Sequence, residues 1–456
     1  MIDTQAIRSK ILDLAMRGQL TEQLPEDGNA EELYQQILEE KQKLIKEGKI
    51  KKQKPLPDIT KDKALNTIPA NWKYVVLGTI ITLQSGQDLK SEDYNSSENG
   101  IPYLTGASNF YNNNKLIINR WTASPKSIAF KNDILLSCKG TVGKIAILDE
   151  ERVHIARQFM AIRSYKVNVR YVAYFMRSVI EGIKKASKGL IPGIERNDVL
   201  NLSFPLPPLA EQQRIVEKIE QAFSILDTID ELQAQYADNL TALKSKLIDA
   251  AIQGKLTEQL PEDGTAEELY QQIQEEKQKL IKEGKIKKQK PLPEISDEEI
   301  PFDIPDNWKW VRLANICYSI SAGKDKPKDY VTVKDENHTI PVVANATTND
   351  GIMGYTSVAT AYAGSLTVAG RGTIGFTCYR DYDYCPIVRL LVINLSESVF
   401  PQYIKYVFQR LTVDSVGSSI PQLTVPMIRP KPIPLPPLAE QKRIVQKLNE
   451  ILPLCE

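Results

Sequence analysis

Two internal repeats and two unlike segments between them predict an α+β protein in a cyclic, pseudo-twofold arrangement, with two α+β domains separated by long antiparallel coiled-coil-like helices. The stretch GQLTEQLPEDGNAEELYQQILEEKQKLIKEGKIKKQKPLP (18–57) recurs as GKLTEQLPEDGTAEELYQQIQEEKQKLIKEGKIKKQKPLP (254–293), with 37 of 40 positions identical. PLPPLAEQ stands at 205–212 and again at 434–441. Repeats on this scale set the architecture of a chain. Aligned on PLPPLAEQ, Glu456 falls on Asp227, whereas the longer repeat places Met1 on Ala237. The two chain ends together therefore rebuild nearly one full copy of the central region, as they would in a cyclic molecule opened within one helix.

The N-terminal helical region, 1–59, begins with a helix over about 3–16. Asn29-x-x-Glu32 then reads as a capping box for a second helix that ends before Gly48. KIKKQKPLP follows as a basic, extended connector. Residues 60–204 form the first α+β domain: DILLSCKGTVGKIAIL (133–148) is β-branched and broken by glycines like a hairpin, and VAYFMRSVIEGIKKAS (172–187) fits a short helix.

In the central helical region, 205–299, Pro207 and Pro208 mark a helix start and Gly254 its stop. Between them Ile219, Phe223, Leu226, Ile229, Leu232, Tyr236, Leu240, Leu243 and Leu247 recur at steps of three and four, the seam of a coiled-coil-like helix over 209–252. At 1.5 Å per residue its length is roughly 65 Å. Thr265-x-x-Glu268 opens the next helix, ending before Gly284. Residues 300–433 form the second α+β domain, with SLTVAGRGTIGFTCYR (365–380) as its glycine-broken hairpin, and 434–456 a short C-terminal helical region. Glu26, Asp27, Glu262 and Asp263 read as turn formers in the copied hairpins.

An apolar fraction of 42% and a charged fraction of 25% are ordinary for a globular protein. No run reaches the length of a membrane span and MIDTQAIRSK lacks the apolar centre of a signal peptide, so the expectation is a cytoplasmic protein. Cys138, Cys317, Cys378, Cys385 and Cys455 include no C-x-x-C pair and read as free, mostly buried thiols. His154 and His338 lack metal-ligand spacing and read as structural. The net charge of +1 hides an uneven distribution: 60–204 carries 20 Lys and Arg against 12 Asp and Glu, and 300–433 carries 13 against 11. A basic excess of that kind speaks to an anionic partner.

The paired PLPPLAEQ motifs, the hairpins from Gly140 to Gly143 and from Gly372 to Gly375, and the runs IPGIERNDVLNLSFPLPPLAEQQRIV and IPQLTVPMIRPKPIPLPPLAEQKRIV resemble the specificity subunit of type I restriction-modification systems. The resemblance covers essentially the whole chain. It implies two target recognition domains, 60–204 and 300–433, each reading one half of a split sequence in double-stranded DNA. It also implies helical regions that space the halves and dock two methyltransferase subunits, with motor and nuclease subunits joining the full complex. No cofactor is expected on this chain; S-adenosylmethionine, ATP and Mg would belong to partner subunits. The short C-terminal helix departs from a simple family pattern, and closure of the circle would rest on the N-terminal helix packing against it.

DNA recognition needs cations for phosphates and forked or amide side chains for base edges. In the first domain the candidates are Asn112, Asn113, Asn114, Lys115, Lys139, Thr141, Lys144, Arg157, Lys188 and Arg196, with Lys139 and Lys144 flanking the glycine hairpin. In the second they are Lys324, Lys326, Lys328, Arg371, Thr373, Arg380, Ser418 and Ser419. The glycine motifs also fit tight structural turns, and each lysine also fits a solvated surface charge. The chain has no P-P step outside PLPPLAEQ and no G-x-x-x-x-G-K-[ST] loop, so no catalytic or metal-binding residue is singled out. The rival readings are a coiled-coil protein-interaction scaffold and a self-contained DNA methyltransferase.

Overall fold

Proline lacks the backbone N–H that a helix interior requires, so the helix after Pro207-Pro208 begins at Leu209 and runs 44 residues to Ile252. The computed structural model describes residues 1–53, 55–57, 67–111, 115–186, 193–411 and 422–455, which divide within this helix into two units, Met1–Ala234 and Gln235–Glu456.

Among the described residues of the first unit the helices are α1 (Thr4–Met16), α2 (Ala30–Lys46), α3 (Leu77–Ile80), α4 (Val169–Ala186), α5 (Arg196–Leu200) and the first part of α6 (Leu209–Ile252). Its strands are β1 (Lys73–Val76), β2 (Ile81–Ser85), β3 (Ile101–Leu104), β4 (Trp121–Thr122), β5 (Ile128–Phe130), β6 (Ile134–Ser137), β7 (Ile145–Ile147), β8 (Arg152–Ile155), β9 (Phe159–Ser164) and β10 (Ser203–Leu206). An antiparallel sheet of order β2-β9-β6-β7 lies beside a second sheet of order β4-β3-β8-β5, in which β3 and β8 run parallel. Ile134, Leu136, Ile162, Tyr171, Phe175 and Phe204 join in one buried core. A separate cluster around Leu135, Val153, Ile155 and Phe159 fills the second sheet, as strand alternation requires.

The second unit holds the rest of α6, α7 (Ala266–Lys282), α8 (Pro401–Leu411), α9 (Val425–Ile428) and α10 (Leu438–Ile451). Its strands are β11 (Lys309–Arg312), β12 (Cys317–Ala322), β13 (Ile340–Val343), β14 (Ile352–Thr356), β15 (Ser365–Val368), β16 (Thr377–Arg380), β17 (Cys385–Pro386), β18 (Leu391–Leu395) and β19 (Pro432–Leu435). Its sheets have the orders β12-β18-β15-β16, β14-β13-β17 and β11-β19, and β13 pairs parallel with β17.

The predicted glycine hairpins are β6-β7 and β15-β16. The helix expected at 172–187 begins three residues earlier, at Val169, and Ser187 lies outside the described residues. Thr265 and Glu268 form the reciprocal capping box, but Asn29 caps α2 through the Glu32 backbone N–H and spends its own amide on the Glu32 carboxylate, so that box is only half formed.

Each unit is held by the same set of buried polar contacts, drawn from the repeats. In the first, Glu211 is fully buried and accepts from Trp72 Nε1 at 2.8 Å, Gln23 Nε2 at 3.0 Å and Thr21 Oγ1 at 3.3 Å. In the second, Glu440 accepts from Trp308 Nε1 at 2.8 Å, Gln259 Nε2 at 2.9 Å and Thr257 Oγ1 at 3.1 Å. Arg214 forks onto the Asp27 carboxylate and Arg443 onto Asp263, and each guanidinium holds its partner carboxyl below the usual aspartate range. Asp27 and Asp263 are therefore ion-pair partners as well as turn residues. Gln212 and Gln441 donate to Pro207 O and Pro436 O, and Tyr171 and Tyr403 to Pro205 O and Pro434 O. Gly18 and Gly254 take positive φ, and a Cβ at either would stand 2.4 Å from a proline ring carbon.

Candidate nucleic-acid interface

Strand register gathers the candidate residues of the first unit at one end of its β2-β9-β6-β7 sheet. Ser85 pairs with Met160, Phe159 with Ser137, and Leu136 with Ile145, so four strands begin or finish together. From this end emerge the 86–100 segment, the 156–158 turn and the 138–144 hairpin loop. Residues 193–195 join them through the Lys139–Gly193 bridge and the Ile194 N–H to Cys138 O bond of 3.0 Å.

The hairpin loop is closed by Gly143 N–H to Ser137 O and Lys144 N–H to Ser137 Oγ, both 2.8 Å. Gly143 has φ of 89°, and a Cβ there would meet Lys184 and Ile180 of α4 at 2.3 and 2.8 Å. The glycines thus serve a tight structural turn whose outward side chains, Lys139, Thr141 and Lys144, are all exposed. Lys144 Nζ stands 5.7 Å from the Phe110 ring centre.

Arg157 lies in the 156–158 turn, its Nε 2.8 Å from Asp88 Oδ2 and its backbone N–H 3.0 Å from Asp88 Oδ1. Arg196 reaches the same sheet end but donates Nη1 to Leu83 O and Ser85 Oγ, each at 2.9 Å, and so ties α5 to β2. Lys115 is exposed beside the Phe110–Leu116 bridge. Asn112, Asn113, Asn114 and Lys188 lie outside the described residues.

Behind this surface His154 is buried. Its Nδ1 faces the backbone N–H groups of Lys126 and Ser127 at 3.2 and 3.1 Å, so Nδ1 is the bare nitrogen and Nε2 carries the proton donated to Gln87 O at 2.8 Å. Burial lowers its pKa below the usual histidine value, which favours this neutral form. The expected structural role is thus a specific one: His154 anchors the residue preceding Asp88.

The second unit repeats the geometry with other side chains. Ala322 and Val368 both pair with Leu391, and Val368 also pairs with Thr377, so the 323–328 segment, the 387–390 turn and the 369–376 loop leave one end of the sheet. Lys324, Lys326, Lys328, Arg371 and Thr373 are exposed there. Lys326 Nζ lies 4.2 Å from the Tyr330 ring centre and Arg371 Nη2 lies 3.3 Å from Gln422 Oε1. Ser418 and Ser419 lie outside the described residues.

Arg380 requires a correction. It is 2% exposed, and its guanidinium is spent on Thr367 Oγ1, Tyr382 Oη and Asp350 O at 3.0, 2.9 and 2.8 Å. Arg380 faces inward from β16, and its guanidinium is taken up by the second unit's own side chains and backbone, which leaves it out of the exposed surface. Sequence reasoning missed Asp88 and Arg389. Arg389 is exposed in the 387–390 turn and, with Val388, takes a left-handed φ that no side-chain pattern announces.

Among the described residues no group of three His, Cys, Asp or Glu side chains is arranged to hold a metal ion, and no helix is long and apolar enough to cross a membrane. All five cysteines are free, four of them buried and Cys378 half-buried.

The chain matches the family model for the type I restriction modification DNA specificity domain over residues 69–235 and 305–453. It is 26% identical to the specificity subunit of the Escherichia coli type I restriction enzyme EcoAI, covering 98% of this chain and 89% of that one. The EcoEI specificity subunit of the same organism is also 26% identical, over 99% of this chain and 89% of the relative. Among solved structures, a chain from a study of type I R-M complex assembly and conformational transition superposes with a TM-score of 0.64 at 20% identity, covering 85% of this chain and 91% of that one. The HsdS subunit from Thermoanaerobacter tengcongensis gives 0.51 at 20% identity, covering 86% and 92%. With two matched segments that each contain one sheet pair and its exposed end, the chain belongs to the family of type I restriction-modification DNA specificity subunits, noncatalytic proteins of DNA recognition.

Proposed function

We propose that this chain binds an asymmetric, bipartite target in double-stranded DNA and directs the methyltransferase and nuclease subunits of a type I restriction-modification complex to it. The observation that carries this reading is the recurrence, in each unit, of exposed basic and polar side chains on loops leaving one end of the central sheet: Lys139, Thr141, Lys144 and Arg157 in one, Lys324, Arg371 and Thr373 in the other. Cations and hydroxyls on closely turned loops suit phosphates, and a free guanidinium suits a base edge. Because the two sets differ, each unit would read a different half-site, and the target would be asymmetric.

Residues 60–204 and 300–433 act in this reading as the target recognition domains. The regions 1–59, 205–299 and 434–456 act as spacer and docking surface for two methyltransferase subunits, in the cytoplasm where the DNA lies. The equivalence of the Glu211 and Glu440 networks fits two halves built on one plan, and Arg8 of α1, 2.8 and 2.9 Å from Asp227 and Asp230 of α6, ties the N-terminal helix to the central helix within the first unit. Half-sites of a twofold reader lie about one helical turn of DNA, roughly 34 Å, or a multiple of it apart, which makes a long helix a suitable ruler. S-adenosylmethionine, ATP and Mg belong to the partner subunits.

The test is co-expression with methyltransferase subunits followed by sequencing of modified bases. Methylation at one split motif, with one half changing when 60–204 is exchanged and the other when 300–433 is exchanged, is the expected result. Methylation without a split motif, or no complex at all, refutes it and favours an interaction scaffold.

A further inference from the structure

We propose that Arg157 reads a guanine in the half-site of the first unit, and that Asp88 is the positioning residue that holds its guanidinium for the task. The proposal deepens the DNA-recognition reading above and rests on it.

Asp88 grips Arg157 twice, by Nε at 2.8 Å and by the backbone N–H at 3.0 Å, while the Arg157 side chain remains 69% exposed. Among the described residues its Nη atoms have no other partner. A guanidinium held at Nε keeps the two Nη groups as a planar fork, and guanine offers the matching acceptors, O6 and N7, in the major groove.

The grip is itself braced. Gly86 N–H donates to Phe159 O at 3.0 Å and Gln87 N–H to Ile155 O at 2.9 Å, while Gln87 O accepts from His154 Nε2 at 2.8 Å. The 86–88 segment runs so close to the 155–157 turn that a Cβ on Gly86 would stand 2.0 Å from Ala156 O. Asp88 therefore stands on a backbone bonded to the strands that flank Arg157, and its ion pair restrains the fork before DNA arrives, which lowers the entropy lost on binding.

The other cations of this surface are built for different work. Lys139 and Lys144 are single-point donors suited to phosphate, and Arg196 spends Nη1 on Leu83 and Ser85. In the second unit the corresponding turn carries Val388, 51% exposed, with its backbone N–H on Lys324 O. The same turn carries an exposed guanidinium one residue on, at Arg389, which among the described residues makes no ion pair with an acid, so the clamp at the Arg157 position is particular to the first unit.

The experiment uses the full chain assembled with its methyltransferase subunits and measures methylation of duplexes in which each base pair of the split motif is changed in turn. Arg157→Ala is expected to cut discrimination at one G·C pair of the half-site that follows residues 60–204 by roughly 5- to 150-fold, the reach of one bidentate contact, with the other half-site unaffected. Asp88→Asn should produce a smaller loss at the same pair, and Arg157→Lys should fail to restore it. The Arg157–Asp88 pair is exposed and contributes little to folding, so these variants should assemble as the parent does. A uniform loss across all duplexes, an unchanged preference profile, or a first half-site without a G·C pair overturns the assignment while the split motif of the parent keeps the wider reading intact. A parent complex without a split motif overturns both.

Discussion

Replacing Glu211 by alanine removes one carboxylate that three donors share. Trp72 is 6% exposed and Glu211 fully buried, so water does not replace the 2.8 Å bond to Nε1. The Gln23 and Thr21 bonds, at 3.0 and 3.3 Å, are only part-buried. A hydrogen bond to a charged group contributes about 1.5–3 kcal/mol; counting the Trp72 bond in full and the other two at half weight gives a loss of about 3–6 kcal/mol. Glu440→Ala removes the same three bonds, at 2.8, 2.9 and 3.1 Å, from Trp308, Gln259 and Thr257. The two losses should agree within about 1 kcal/mol, since the groups removed and their burial match. A chain of two units need not unfold in one step, so the assay is native-state hydrogen exchange, read at β1 and β10 for Glu211→Ala and at β11 and β19 for Glu440→Ala. A shift below about 1 kcal/mol in either, or costs differing by more than about 2 kcal/mol, would refute the view that these carboxylates organise equivalent frames.

Three further outcomes follow from the same contacts. His154 has its pKa lowered chiefly by burial, so below the unfolded value of about 6.5 the unfolded chain binds the extra proton and the folded one resists it. Stability of the first unit should fall as pH drops from about 6.5 towards the folded pKa, and His154→Gln should remove that component of the exchange profile between about pH 7.5 and 5.5. Lys139→Ala and Lys144→Ala should weaken DNA binding by the assembled complex equally for all sequences, each reducing the slope of log K against log salt by about one; a sequence-dependent change would mark a base reader instead. Gly86→Ala drives a Cβ to within 2.0 Å of Ala156 O and 2.6 Å of Ile155 O, and should cost about 1–3 kcal/mol in thermal stability together with disturbed recognition by the first unit.

The parts of the fold legible in the sequence are those fixed by local chemistry. Pro207-Pro208 before it and Gly254 after it place a helix that the structure bounds at Leu209 and Ile252, but Leu232, Tyr236 and Leu243 of the expected coiled-coil seam are exposed in it. The alternating, glycine-broken runs place the β6-β7 and β15-β16 hairpins. What stayed illegible depends on contacts distant along the chain. The pairing of Ser85 with Met160 joins strands distant along the chain and leaves no periodic trace, yet it brings the Asp88 segment and the Arg157 turn to the same sheet end. Glu211 reads as an acid in a first helical turn, and only the fold shows Trp72 donating to it from 139 residues away. Arg380 was legible as a cation but not as an inward one, because charge type says nothing about which face of β16 a residue occupies. For the candidate surface, residue chemistry pointed to loops that the fold brings to one sheet end, while Asp88, which carries the opposite charge, escaped a search for cations.

The two units share the contacts that support the fold and differ at the loops proposed to meet DNA. At frame positions the residue types recur with their distances: Trp72 and Trp308, Glu211 and Glu440, Arg214 and Arg443, Tyr171 and Tyr403. At the sheet ends the backbone recurs while the side chains recur only in part: Lys139-Gly140-Thr141 is answered by Arg371-Gly372-Thr373, whereas Arg157 is answered by Val388. Buried polar networks tolerate little change because a lost partner strands the others, whereas an exposed loop side chain can be replaced at small cost to folding. Recognition chemistry placed on the loops can therefore diverge between the units while the frame stays constant, and a substitution at Arg157 should change which sequence is read without changing whether the unit folds.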